Sequence, residues 1–96
     1  MTAQGEWSLA PAYDVCYAYS PSGKWTNRHQ LSLNGKRDEF TMNDLLVIAE
    51  KADIINAPKI VREIIEIVSQ WEYYAKEAEV TPEYAQQIKT ALRLKL

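Results

Sequence analysis

"TMNDLLVIAEKA", Thr41 to Ala52, is the stretch on which the fold turns. Leu45, Ile48, Ala49 and Ala52 recur at helical spacing and share one face. Thr41 stands ahead of them as an N-cap. Asp44, three residues on, is a shorter stand-in for the usual capping-box Glu. A helix is therefore expected to begin at Thr41, and the chain before it reads differently from the chain after it.

Downstream, "DIINAPK" (Asp53 to Lys59) interrupts the pattern. Asn56 is a candidate cap and Pro58 is tolerated in a first helical turn. From there to about Ala78, Val61, Ile64, Ile65, Val68, Trp71 and Ala75 form one stripe. This predicts a single helix about 30 Å long. "TPEY" (Thr81 to Tyr84) is a third start signal: a Thr cap, Pro at the first position and an acid in the first turn. The third helix is expected to bury Tyr84, Ala85, Ile88, Ala91 and Leu92. Lys89, Arg93 and Lys95 lie toward its C-terminal end, where the helix dipole favours cations. Short connections make the helices antiparallel neighbours.

Upstream, "EWSLA" (Glu6 to Ala10) has a strand's length, and Pro11 ends it. "YSPSGKWTNR" (Tyr19 to Arg28) reads as loop. Asn34-Gly35 is a type I′ turn signal between "QLSL" and "KRDEF". It predicts a short hairpin with Leu31, Leu33 and Phe40 as its apolar contacts. The expected fold is mainly α, of α+β type, in one domain over residues 1–96. Residues 1–40 form strand, loop and hairpin, and 41–96 form about three antiparallel-packed helices.

Composition sets the outer bounds. At 96 residues, 47% apolar and 25% charged, the chain matches an ordinary globular domain and not a disordered one. No apolar run approaches the ~20 residues needed to span a bilayer. "MTAQGEW" lacks the basic and apolar regions of a secretory leader. The single cysteine, Cys16, rules out an internal disulfide and is expected to be a buried structural thiol. A cytoplasmic setting is the expectation. One Cys and one His fall short of a structural zinc site, and three scattered glycines make no phosphate loop.

Charge is unevenly placed around a net −2. Residues 15–37 hold Lys24, Arg28, Lys36 and Arg37 and no acid. This stretch reads either as a solvated loop or as a contact for phosphate, nucleic acid or an acidic partner. Tyr13, Tyr17, Tyr19 and Trp25 lie in or near it, and aromatics among cations can stack nucleobases. His29, Asp38 and Glu39 read as solvated. Asp14 is the odd charge in "LAPAYDVCY" (Leu9 to Tyr17). Unpaired burial of a carboxylate costs roughly several kcal/mol, so Asp14 is either a surface turn residue or meets a cation.

"GEWSLAPAYDV" followed by "SPSGKWTNRHQLSLNGKRDEFTMNDLL" resembles the C-terminal part of the HipA-type toxin kinases. The resemblance runs over residues 5–46, and the later helices follow a kinase C-lobe more loosely. Its specific pieces are "LAPAYD", the loop Ser20-Pro21-Ser22-Gly23-Lys24-Trp25, and "LSLNGKRD". The resemblance implies part of a bacterial serine/threonine protein kinase of a toxin–antitoxin system. The implied partners are a helix-turn-helix antitoxin, operator DNA through that complex, and the N-terminal remainder of the kinase. It also implies Mg²⁺ and ATP as cofactors of the complete enzyme, with Asp14 as a metal-binding aspartate.

Residues 1–96 contain no counterpart of the catalytic Asp and Asn-bearing loop, the phosphate-covering loop or the ATP-anchoring lysine. Phosphoryl transfer depends on assembling all of these. The chain alone is therefore expected to be inactive, with no cofactor of its own and no catalytic residue. It is expected to expose apolar surface around Trp7, Leu9 and Tyr13, or to cover it by self-association. The competing expectation is a stand-alone helical module that binds a protein, or nucleic acid through residues 24–37.

Overall fold

Thr41 caps the first helix as expected. Its backbone is extended, its hydroxyl accepts from the Asp44 amide at 3.3 Å, and the Asp44 carboxylate accepts from the Thr41 amide at 2.8 Å. Both halves of a capping box are thus present. In a computed structural model describing all 96 residues, four helices follow in order: α1 (Met42–Lys51), α2 (Ala57–Ser69), α3 (Trp71–Glu77) and α4 (Pro82–Ala91).

Helices α1 and α3 stop in the same way. Asp53 and Glu79 adopt left-handed backbone, with φ of 55° and 58°. The next amide reaches back in each case, Ile54 to the Ala49 carbonyl at 2.8 Å and Val80 to the Ala75 carbonyl at 2.9 Å. This is the Schellman closure, here built on non-glycine residues. The side chains of Asn56 and Thr81 make no capping hydrogen bond, so those two starts rest on Pro58 and Pro82.

The single long helix expected from Pro58 to Ala78 is two helices. Gln70 lies between them with φ −86° and ψ 17°, and its amide bonds to the Ile67 carbonyl. Just before it, the Ser69 hydroxyl donates to the Glu66 carbonyl at 2.6 Å, a back-bond that competes with the helical ladder and bends it.

Each helix packs on its neighbours in sequence, α1 on α2, α2 on α3 and α3 on α4. The buried apolar residues are Ala49, Ala57, Ala75 and Ile88, three of them small enough to let backbones approach closely. Leu45, Ile48, Val61, Ile65, Val68 and Trp71 are half-buried around them. Ala52 is exposed, and Ile64 turns outward at 55% exposure, leaving the buried stripe of α2 to Val61, Ile65 and Val68. Tyr84 is exposed rather than buried. Ala85 and Ile88 face the bundle, and adjacent helical residues point about 100° apart. The Trp71 indole donates to the Ala85 carbonyl at 2.9 Å and ties α3 to α4. No helix is long and apolar enough to cross a membrane.

The N-terminal third departs from expectation. Glu6–Ala10 forms no strand. The hairpin is reduced to one antiparallel bridge, Leu33 to Lys36, around Asn34 and Gly35, whose φ angles of 50° and 77° are those a type I′ turn requires. Leu31 is exposed, while Leu33 and Phe40 are half-buried. Cys16 is exposed rather than buried. From Trp7 to Tyr19 no backbone group bonds to any other part of the chain. A strand exists only when a second strand pairs with it, and none is within reach. The radius of gyration of 16.2 Å exceeds the ~13 Å of a compact domain this long. The helical part packs; the N-terminal arm does not.

Candidate binding surface of the basic loop

Asp14 stands on the unpaired arm. It is exposed, its φ is 56°, and it makes no hydrogen bond or ion pair. Its left-handed backbone suits a turn aspartate. No group of three His, Cys, Asp or Glu converges anywhere in the molecule. Mg²⁺ takes one or two carboxylates together with substrate phosphates and water. Asp14 supplies one carboxylate with no second beside it, so the residues present do not make up a magnesium site.

The basic stretch is not one surface. Lys36 turns inward, its Nζ 2.7 Å from the Asp44 carboxylate. Asn34 donates to the other Asp44 oxygen at 2.8 Å, and the Thr41 hydroxyl adds a contact at 2.9 Å. Asp44 is the one buried charged residue of the chain. The Lys36 ammonium, then the Thr41 amide and Asn34, hold its carboxyl well below the usual carboxylate range against the opposing effect of burial. Arg37 braces the loop, donating to the His29 carbonyl at 2.8 Å and to Gln30 Oε1 at 2.9 Å. Lys36 and Arg37 are therefore held by structural partners.

Searches of protein families, curated proteins and solved structures found no match to this chain.

Lys24 and Arg28 have no carboxylate partner. Lys24 lies over the Trp25 ring, 5.2 Å from its centroid. Tyr19, Trp25, Arg28 and His29 line one open cleft of about 270 Å³. His29 is exposed, with its ring 5.4 Å from that of Phe40, and no hydrogen bond joins it to Cys16. Asp38, expected to be solvated, is half-buried and pairs with Arg93 at 3.3 Å.

Charge pattern alone does not disclose two features of this region. One is Asp44, which reads only as a cap, although it gathers Asn34 and Lys36 as well. The other is the arm. From Trp7 to Tyr19 the odd positions are Trp, Leu, Pro, Tyr, Val, Tyr and Tyr, while the even ones are small or polar. That period of two is a strand signal, interrupted at Pro11 and at the left-handed Asp14. Trp7, Leu9, Tyr13 and Val15 are 83–98% exposed, in line with the apolar exposure expected around Trp7, Leu9 and Tyr13.

Proposed function

We propose that this chain is the C-terminal-lobe part of a HipA-like serine/threonine protein kinase, carrying Asp14 as an inherited metal-binding residue, and that alone it transfers no phosphoryl group. The observation that carries this reading is the arm from Trp7 to Tyr19. It has a strand's alternation, its large apolar residues lie in solvent, and its backbone has no partner. Monomeric proteins rarely leave contiguous apolar surface open. The short extended pieces on either side of Pro11 and the left-handed Asp14 are what sheet-edge segments look like when their neighbours belong to another part of the kinase. The resemblance over residues 5–46 names that part as the N-terminal remainder of a HipA-like enzyme.

Inactivity follows from what Asp14 lacks. A lone exposed carboxylate neither orients ATP nor positions a hydroxyl nucleophile, and positioning supplies most of the catalysis in phosphoryl transfer. Within the complete kinase, Asp14 would share the metal with residues outside these 96.

Sequencing the coding DNA upstream of Met1 tests the family reading. An open frame encoding a glycine-rich loop and a catalytic Asp/Asn loop is expected; unrelated sequence there overturns it. Thermal melting with Mg²⁺–ATP tests the inactivity. No shift is expected for the chain alone. A clear stabilisation that disappears in Asp14→Ala contradicts it.

A further inference from the structure

We propose that the cleft lined by Tyr19, Trp25 and Arg28 binds a nucleotide of single-stranded nucleic acid, the base stacking on the aromatic wall and the phosphate meeting Arg28, with Lys24 at the Trp25 ring adding to the local positive charge. The inference rests on the loop's own geometry and not on the kinase reading.

The loop is built to hold Trp25 in the open. The Ser20 amide bonds to the Thr26 carbonyl at 3.2 Å, the Gly23 amide to the Ser20 carbonyl at 3.0 Å, and the Asn27 amide to the Gly23 carbonyl at 3.1 Å. Gln30 Nε2 donates to the Trp25 carbonyl at 2.8 Å, and Arg37 in turn holds Gln30. Gly23 leaves room for the Thr26 hydroxyl, which a Cβ there would displace while crowding Ser20. Despite this bracing, the Trp25 side chain is not packed away. The residue is 68% exposed, and Tyr19, across the same cleft, is 38% exposed. An exposed aromatic on a tied loop gives up little freedom when a ligand arrives.

Of the four cations between residues 15 and 37, Lys36 and Arg37 are occupied, while Lys24 and Arg28 are free of carboxylate and hydrogen-bond partners, Lys24 resting over the Trp25 ring. The two free ones flank Trp25 in sequence, and no acid within that stretch neutralises them. Aromatic walls beside unpaired cations match the two faces of a nucleotide, a flat apolar base and a phosphate. A duplex keeps its bases stacked inside, so the cleft selects unpaired strands.

Fluorescence anisotropy of an end-labelled (dT)12 strand, titrated with the full chain at low and at physiological salt, reads the site. Binding is expected at low salt and weakens as salt rises. Trp25→Ala weakens it by about five- to a hundredfold, and Trp25→Phe restores most of the loss. Arg28→Gln weakens it and lowers the salt slope by about one. Lys59→Ala, on α2, leaves it unchanged. An abasic strand with the same phosphates is expected to bind the wild type no better than (dT)12 binds Trp25→Ala. Helical circular dichroism checks that the variants fold, since Trp25 lies outside every helix. Absence of (dT)12 binding at low salt overturns the proposal. Equal affinity for abasic and thymidine strands, or for duplex, also overturns it by reducing the contact to charge alone.

Discussion

Lys36 Nζ lies 2.7 Å from the Asp44 carboxylate, joining the Asn34-Gly35 turn to the N-terminus of α1. The carboxylate also receives Asn34 and the Thr41 amide and hydroxyl. One residue therefore caps a helix and fixes a turn. Replacing Lys36 by Met leaves Asp44 buried without its cation, and loss of one partner of a buried charge costs more than loss of an exposed pair. The expected outcome is a clear fall in melting temperature for Lys36→Met and little change for Lys59→Ala, whose pair with Glu63 is exposed.

The same carboxylate sets the response to acid. Asp44 has an ordinary value of 3.8, and the fold holds it lower. A group depressed by folding adds stability that is fully present above its unfolded value and is lost as pH falls toward its folded one. Stability is therefore expected to hold down to about pH 4 and to decline below it. Lys36→Met should show a shallower decline, because its Asp44 is less depressed. Denaturant melts across pH 2–6 check both statements, and parallel slopes for the two proteins would contradict them.

Trp71 to Ala85 is the second tie, at 2.9 Å between α3 and α4. Trp71→Phe keeps an aromatic ring and removes the N–H donor. A loss of about 0.5–1.5 kcal/mol is expected for the hydrogen bond, with a further contribution from the smaller ring. Urea denaturation of the two proteins measures it.

Glu79 closes α3 in left-handed backbone at φ 58°. Glycine tolerates that region without the Cβ penalty. Glu79→Gly is expected to stabilise the chain by about 1 kcal/mol, an unusual sign for a glycine substitution. A lowered midpoint in urea would show that the side chain does more than occupy the turn.

The legible parts of the fold were the local ones. Thr41 and Asp44 announce α1 because a capping box is complete within four residues. Asn34-Gly35 announces its turn for the same reason. The break at Gln70 was hidden, because the apolar stripe continues across it while the Ser69 back-bond bends the chain. Asp53 and Glu79 gave no stop signal, since both do a glycine's task. At the candidate site, charge alone grouped Lys24, Arg28, Lys36 and Arg37. Only the fold separates the two that are braced from the two that are free, since Asp44 and His29 each lie eight residues from the cation they hold.

Trp7 to Tyr19 forms an arm whose backbone finds no partner among these 96 residues. Amide hydrogen exchange on the dilute, monomeric chain tests it most directly. Exchange at the rate of an unstructured peptide is expected from Trp7 to Tyr19, beside protected amides in α1 to α4. Protection appearing only at high concentration would mark self-association through the same arm. Protection of Leu9, Tyr13 and Val15 in the monomer would mean that the arm folds onto its own chain and is not unpartnered.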